Sequence, residues 1–216
     1  LPREPGVLSP DELSMCDAAG SPVPCQKKVT ARWGGSPDDA SRPIKWVLLD
    51  FPASVPANGE AVYHLRRSPA TADPPAAINI SDDGIALSVD TGAAVFHLRR
   101  DSFDLFHGVD LSGAGESLPP STRNGFVVSA GVRDYRSSLA PPASVAVEEA
   151  GPLRASVTVR GAHADGGGGE MLHYTARIHF YAGSSQARLF YTLESHEPTR
   201  PDATGQPQCW DIGCPG

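Results

Sequence analysis

GPLRASVTVRGAHADGGGGEMLHYTARIHFYAGSSQARLFYTLES, residues 151–195, carries the clearest pattern in the chain. Leu153, Ala155, Val157 and Val159 alternate with Arg154, Ser156, Thr158 and Arg160. A period of two marks a strand with one face in a core and the other in water. Four glycines at 166–169 supply a turn, because glycine adopts positive φ without a steric penalty. In the run 171–181, Tyr174, Ala176, Ile178 and Phe180 share one face, and His173, Thr175, Arg177, His179 and Tyr181 share the other. After a short turn at 183–185, Leu189, Tyr191 and Leu193 alternate with Arg188, Phe190, Thr192 and Glu194. Connections this short predict an antiparallel meander.

The flanking sequence predicts more strands. Ser9-Pro10-Asp11-Glu12 reads as a single helical turn, with Ser9 as cap, Pro10 first in the turn and Glu12 closing a capping box. Strands are predicted at 26–33, 44–51, 61–67, around the Asp82-Asp83-Gly84 turn, and at 93–101, 125–132 and 143–149. The run 44–51, IKWVLLDF, is nearly all apolar, which predicts a central strand buried on both faces and Trp46 in the core. The stretch 68–77 has three prolines and little apolar content, so it is the expected internal boundary if the chain divides in two. Residues 199–216 are rich in Pro, Gly and polar residues and are expected to be irregular. The predicted class is all-β, an antiparallel barrel or sandwich with at most one or two helical turns. It forms a single domain over 1–198, with 199–216 leading to a further domain.

With 216 residues and 40% hydrophobic content, the chain can bury a core, and 22 Gly and 21 Pro punctuate it at intervals that suit short strands. A net charge of −7 with no basic block makes nucleic acid and anionic membranes poor partners. No run of 18 apolar residues exists to span a membrane. The start, LPREPG, has no basic stretch followed by an apolar one, so an export signal is expected to have been removed, or the chain to be cut from a longer one. Arg outnumbers Lys, which hints at a GC-rich bacterial source. The four cysteines fall in two close pairs. Short-loop bridges Cys16–Cys25 and Cys209–Cys214 are the favoured reading, as in exported proteins, over free thiols or a metal site. Neither pair has the spacing of a zinc motif.

Three stretches together resemble one family: GSPVPCQKKVTARW…RPIKWVLLDFPASVPANGEAVYHL, then GPLRASVTVRG…LHYTARIHFYAGSSQARLFYTLES, then the terminal CWDIGCPG. In this order they are similar to the N-terminal β-barrel domain, a RIFT-related barrel, of rhamnogalacturonan exolyase-like bacterial proteins. The resemblance implies an exported accessory domain followed by an α-helical toroid that carries the lyase chemistry. It transfers no catalytic residue to this chain. The terminal motif departs from the family, where an acidic residue stands in place of Cys214, and this leaves open whether the parent is an ordinary lyase or a structural relative.

Uronate lyases need a cation beside the carboxylate and a base for the C5 proton. Arg177, His179 and Tyr181 offer those groups on one strand face, and alternate residues there stand about 7 Å apart. With His173 they are also glycan-contact candidates, as is Trp33, which ends a strand at a Gly-Gly loop. Trp210, between two cysteines, is expected to pack over them. The bland alternative is a solvent-facing sheet surface whose residues serve cross-strand pairing. No cofactor is expected. Asp38-Asp39 and Asp82-Asp83 suggest calcium only weakly, because EF-hand spacing is missing and acidic pairs are common in turns. The functional expectation is a non-catalytic domain that packs on a catalytic partner or contacts polysaccharide. The alternatives are a β-type lyase acting by β-elimination and a self-assembling module of a surface layer or filament.

Overall fold

The computed structural model describes residues 6–69, 72–74, 76–113, 117–118 and 125–195. The fold is all-β. A 3₁₀ turn at Pro10–Glu12 precedes β1 (Leu13–Asp17), β2 (Pro22–Val23), β3 (Gln26–Arg32), β4 (Ile44–Asp50) and β5 (Tyr63–Arg67). Next come β6 (Asn79–Asp82), β7 (Ala86–Asp90), β8 (Ala94–Arg99), β9 (Gly108–Leu111) and β10 (Ser117–Leu118). The last six are β11 (Val127–Ala130), β12 (Arg133–Arg136), β13 (Ser144–Ala150), β14 (Arg154–Ala164), β15 (Glu170–Tyr181) and β16 (Ala187–Glu194). The capping box forms as read: Ser9 Oγ accepts from Asp11 N–H, and Glu12 Oε1 accepts from Ser9 N–H.

The meander of the opening stretch forms as predicted. β14 pairs antiparallel with β15, and β15 with β16. The glycine turn between β14 and β15 is fastened by Asp165, whose Oδ1 accepts from the Gly167 and Gly169 amides at 2.8 Å. The sheet runs β11-β12-β14-β15-β16, and β13 also pairs with β14. A second sheet, β10-β9-β8-β7-β6, supplies the opposite layer of a sandwich. Leu87, Val89, Phe96, Leu98 and Phe103 pack there with Val157, Val159, Tyr174, Ile178 and Phe180 in one buried cluster. Each such side chain contributes on the order of 1.5–3 kcal/mol through burial.

At one end of this core the aromatic rings stack in the order Phe126, Tyr191, Tyr174, Phe103. Gly161 makes room for the stack, since a Cβ there would come 2.5 Å from Tyr174 Oη. His163, fully buried, donates from Nδ1 to Leu172 O at 2.8 Å, so its Nε2 accepts from the Tyr191 hydroxyl at 2.9 Å. Burial pushes the Tyr191 phenol well above its ordinary value, so it stays a donor. Tyr191→Phe is expected to leave the His163 nitrogen unpaired and cost about 1–3 kcal/mol, read as a lower thermal midpoint by circular dichroism.

The first five strands make two small sheets, β2-β1-β5 and β3-β4. Here two sequence expectations are corrected. β4 is not a central strand: it pairs with β3 in a two-stranded sheet, and Trp46 is 64% exposed. Its apolar run has one strand neighbour, so Trp46 and Leu48 face water while Val47 and Leu49 turn inward. The Cys16–Cys25 bridge is also absent, and both residues are free thiols. The hairpin register sets Cys16 opposite Pro22. Cys25 lies three residues further on, about 10 Å along the chain, beyond the Cα separation a disulfide spans. Cys209, Trp210 and Cys214 lie outside the described residues.

Candidate functional site

Period two along β15 decides which of its side chains meet solvent. Tyr174, Ala176, Ile178 and Phe180 are buried in the core, so His173, Thr175, Arg177, His179 and Tyr181 stand on the outer face. The register sets His179 opposite Arg188, Arg177 opposite Phe190, and His173 opposite Glu194 on β16. On the other side Thr158 lies opposite Arg177, Ser156 opposite His179, and Arg154 opposite Tyr181. The four β15 candidates therefore share one surface. Trp33 does not join them. It follows β3 at the far tip of the β3–β4 hairpin, about 23 Å along the strand from Gln26, with the Lys45 ammonium 4.7 Å from its ring centroid.

A bulge in β13 between Val147 and Glu149 organises this face. The extra residue lets two consecutive carboxylates reach across it, an effect bulges have by re-aiming a side chain. Glu148 grips Arg177 in a two-point pair, Nε to Oε2 at 2.6 Å and Nη2 to Oε1 at 2.9 Å. That grip holds the Glu148 carboxyl down at about 2 and raises the Arg177 guanidinium. Glu149 instead accepts from Arg154 Nη2 at 2.7 Å.

Arg154 is the centre of a second, more buried group, its side chain only 11% exposed. Its Nε forms an ion pair with Asp50 Oδ1 at 2.9 Å, without hydrogen-bond alignment. Lys28 lies 3.5 Å from Glu149. Gln26 brackets the same place. Its Oε1 accepts from the Leu153 and Arg154 amides at 3.0 and 2.9 Å, and its Nε2 donates to Glu149 Oε1 and Arg154 O at 2.7 and 3.0 Å. Gly151 permits that approach, because a Cβ there would fall 2.1 Å from the Gln26 amide carbon. Gln26, Lys28 and Asp50 come from the β3–β4 hairpin, so this group is the seam between the hairpin and the sandwich.

His179 contacts the second group and lies in the field of the first. Arg154 Nη1 donates to its Nδ1 at 3.1 Å. A guanidinium has donors only, so Nδ1 is bare and the ring proton sits on Nε2. Burial first, then the charges of Arg154, Arg177 and Arg188, lower its pKa and favour the neutral ring. The ring edge meets Phe190 at 5.5 Å, and the Arg188 guanidinium lies 4.7 Å over the Phe190 ring. Phe190 remains 45% exposed and Tyr181 37%.

In this geometry His179 presents a donor to solvent, with its lone pair already used by Arg154. The Arg177 charge is shared with Glu148. The face offers exposed aromatic surface, N–H donors and cations fixed by second contacts, which suits holding a hydroxylated, anionic ligand. Among the described residues no group of three or more His, Cys, Asp or Glu is placed to hold a metal ion. Asp39, Asp82 and Asp83 are each engaged in their own turns or ion pairs.

Sequence reading placed the β15 residues on one outer face, as the structure has them, and did not single out Arg188, Phe190 or the Gln26–Asp50–Glu149–Arg154 seam. One signal was present: Glu148-Glu149 breaks the alternation of the run 143–149, as a bulge does. Residues 78–201, more than half of the chain, match the family model described as the PcRGLX-like protein central beta sandwich domain. No curated protein matches the chain.

Proposed function

The chain belongs to the family of the PcRGLX-like protein central β-sandwich domain, and on that premise we propose that it is a non-catalytic sandwich of an exported, rhamnogalacturonan lyase-like protein that contacts glycan through the outer face of β15 and β16. The matched unit is the central sandwich, where the sequence resemblance had pointed to the N-terminal barrel. The observation that carries the reading is the Phe190 ring, nearly half exposed, with Arg188 over it, His179 at its edge and Arg177 beside it. Sugar C–H faces stack on such rings, and the cations and N–H donors suit carboxylates and hydroxyls. In the whole protein this face would guide polysaccharide toward a catalytic domain.

Affinity electrophoresis through gels containing rhamnogalacturonan or polygalacturonate tests this. The chain is expected to be retarded in them more than in a neutral glucan. Phe190→Ala and Arg188→Ala are each expected to weaken retention on the order of tenfold, with the thermal midpoint held within about 1 °C, as for ordinary surface substitutions. Equal mobility with and without acidic glycan would overturn the contact role. Unsaturated-product absorbance that is lost in His179→Ala would overturn the non-catalytic role.

A further inference from the structure

We propose that the seam between the β3–β4 hairpin and the outer face of the sandwich opens in mild acid through protonation of His179. The hairpin is fastened there by Gln26, Lys28 and Asp50 acting on Glu149, Arg154 and the backbone at 153–154. Arg154 is held on three sides: by Glu149 Oε2 at 2.7 Å, Asp50 Oδ1 at 2.9 Å and His179 Nδ1 at 3.1 Å. Two of these are carboxylate oxygens, one hydrogen-bonded and one an ion pair, and the third is a lone pair that a proton would occupy. A protonated His179 has no acceptor left, and it would place a positive ring against a positive guanidinium.

The charged groups around the ring come from every packed strand. Arg154 faces it from β14 and Arg188 from β16, with Arg177 on its own strand. Glu148 and Glu149 from β13 are already paired with Arg177 and Arg154, Asp50 from β4 with Arg154, and Lys28 from β3 with Glu149. No carboxylate in this group hydrogen-bonds His179, so the added charge meets three guanidinium groups first. The fold favours the neutral ring, so its contribution is complete above the ordinary imidazole value of 6.5. It is lost as the pH falls below that value toward the lowered one.

The Leu153 and Arg154 amides report the seam directly, since both donate to Gln26 Oε1. Hydrogen exchange of the full chain, followed by NMR at about pH 7.5 and about pH 5 and corrected for intrinsic rates, is expected to show their protection falling on the order of tenfold in acid. The Phe96 amide in the sandwich core is expected to keep its protection. His179→Asn supplies an oxygen acceptor that does not titrate, and is expected to hold the seam amides protected at both pH values. Unchanged protection in the wild-type chain overturns the proposal. So does an equal loss in His179→Asn, which would assign the effect to Asp50 or Glu149. If that variant fails to fold, NMR titration of the His179 ring in the wild-type chain decides: seam opening that does not track its protonation overturns the proposal.

Discussion

Arg154→Met is expected to destabilise the chain by about 3–5 kcal/mol, the range seen when one partner of a buried ion pair is removed. The loss arises less from the pair itself than from what remains. Glu149 would keep a single cation at 3.5 Å, Lys28, and Asp50, one of whose oxygens already lacks a hydrogen-bond partner, would lose its cation. For a chain of this length that corresponds to a thermal midpoint lower by roughly 6–20 °C, measurable by calorimetry. A change under about 1 kcal/mol would show the seam to be solvated and dispensable. The double variant Arg154→Met with Glu149→Gln is expected to recover part of the loss, since it removes one stranded charge.

Phe180→Ala is expected to cost a similar amount, about 3–5 kcal/mol, by a different route. Phe180 is fully buried and meets Phe96 and Phe106 at centroid distances of 5.1 and 6.2 Å, so it joins the two sheets of the sandwich. Truncation leaves a cavity that a β sandwich closes only partly. Urea unfolding would read this as a lower midpoint at unchanged slope. Phe190→Ala, ten residues away on the neighbouring strand, removes the same atoms from the outer face and is expected to leave stability nearly unchanged. The contrast separates packing from ligand contact using one residue type.

The meander was legible because three alternating runs sit within one stretch and are joined by turns too short for any other pairing. The outward position of Arg177, His179 and Tyr181 followed from the same periodicity. The position of Trp46 did not, because an apolar run signals burial only when strands exist on both sides to cover it. The identity of a strand's neighbours depends on chain partners far away: β5 pairs with β1, not with β4, across some 50 residues. The seam was illegible for the same reason. Gln26 reaches Arg154 over a separation of 128 residues, and nothing local to either residue announces the other. The Cys16–Cys25 pairing failed because closeness in sequence says nothing about where a hairpin register places two sulfurs.

The irregularity at Val147 and Glu149 has one more consequence. Val147 stays opposite Val157, Glu149 opposite Ser156 and Ala150 opposite Ala155, with Glu148 as the unmatched residue. A strand one residue shorter at that point would therefore keep every one of these partners. It would lose the Glu148 carboxylate, and with it the counter-charge of Arg177. The electrical character of the outer face thus hangs on one extra, acidic residue in β13, and a single codon's deletion would change it while leaving the sheet in register.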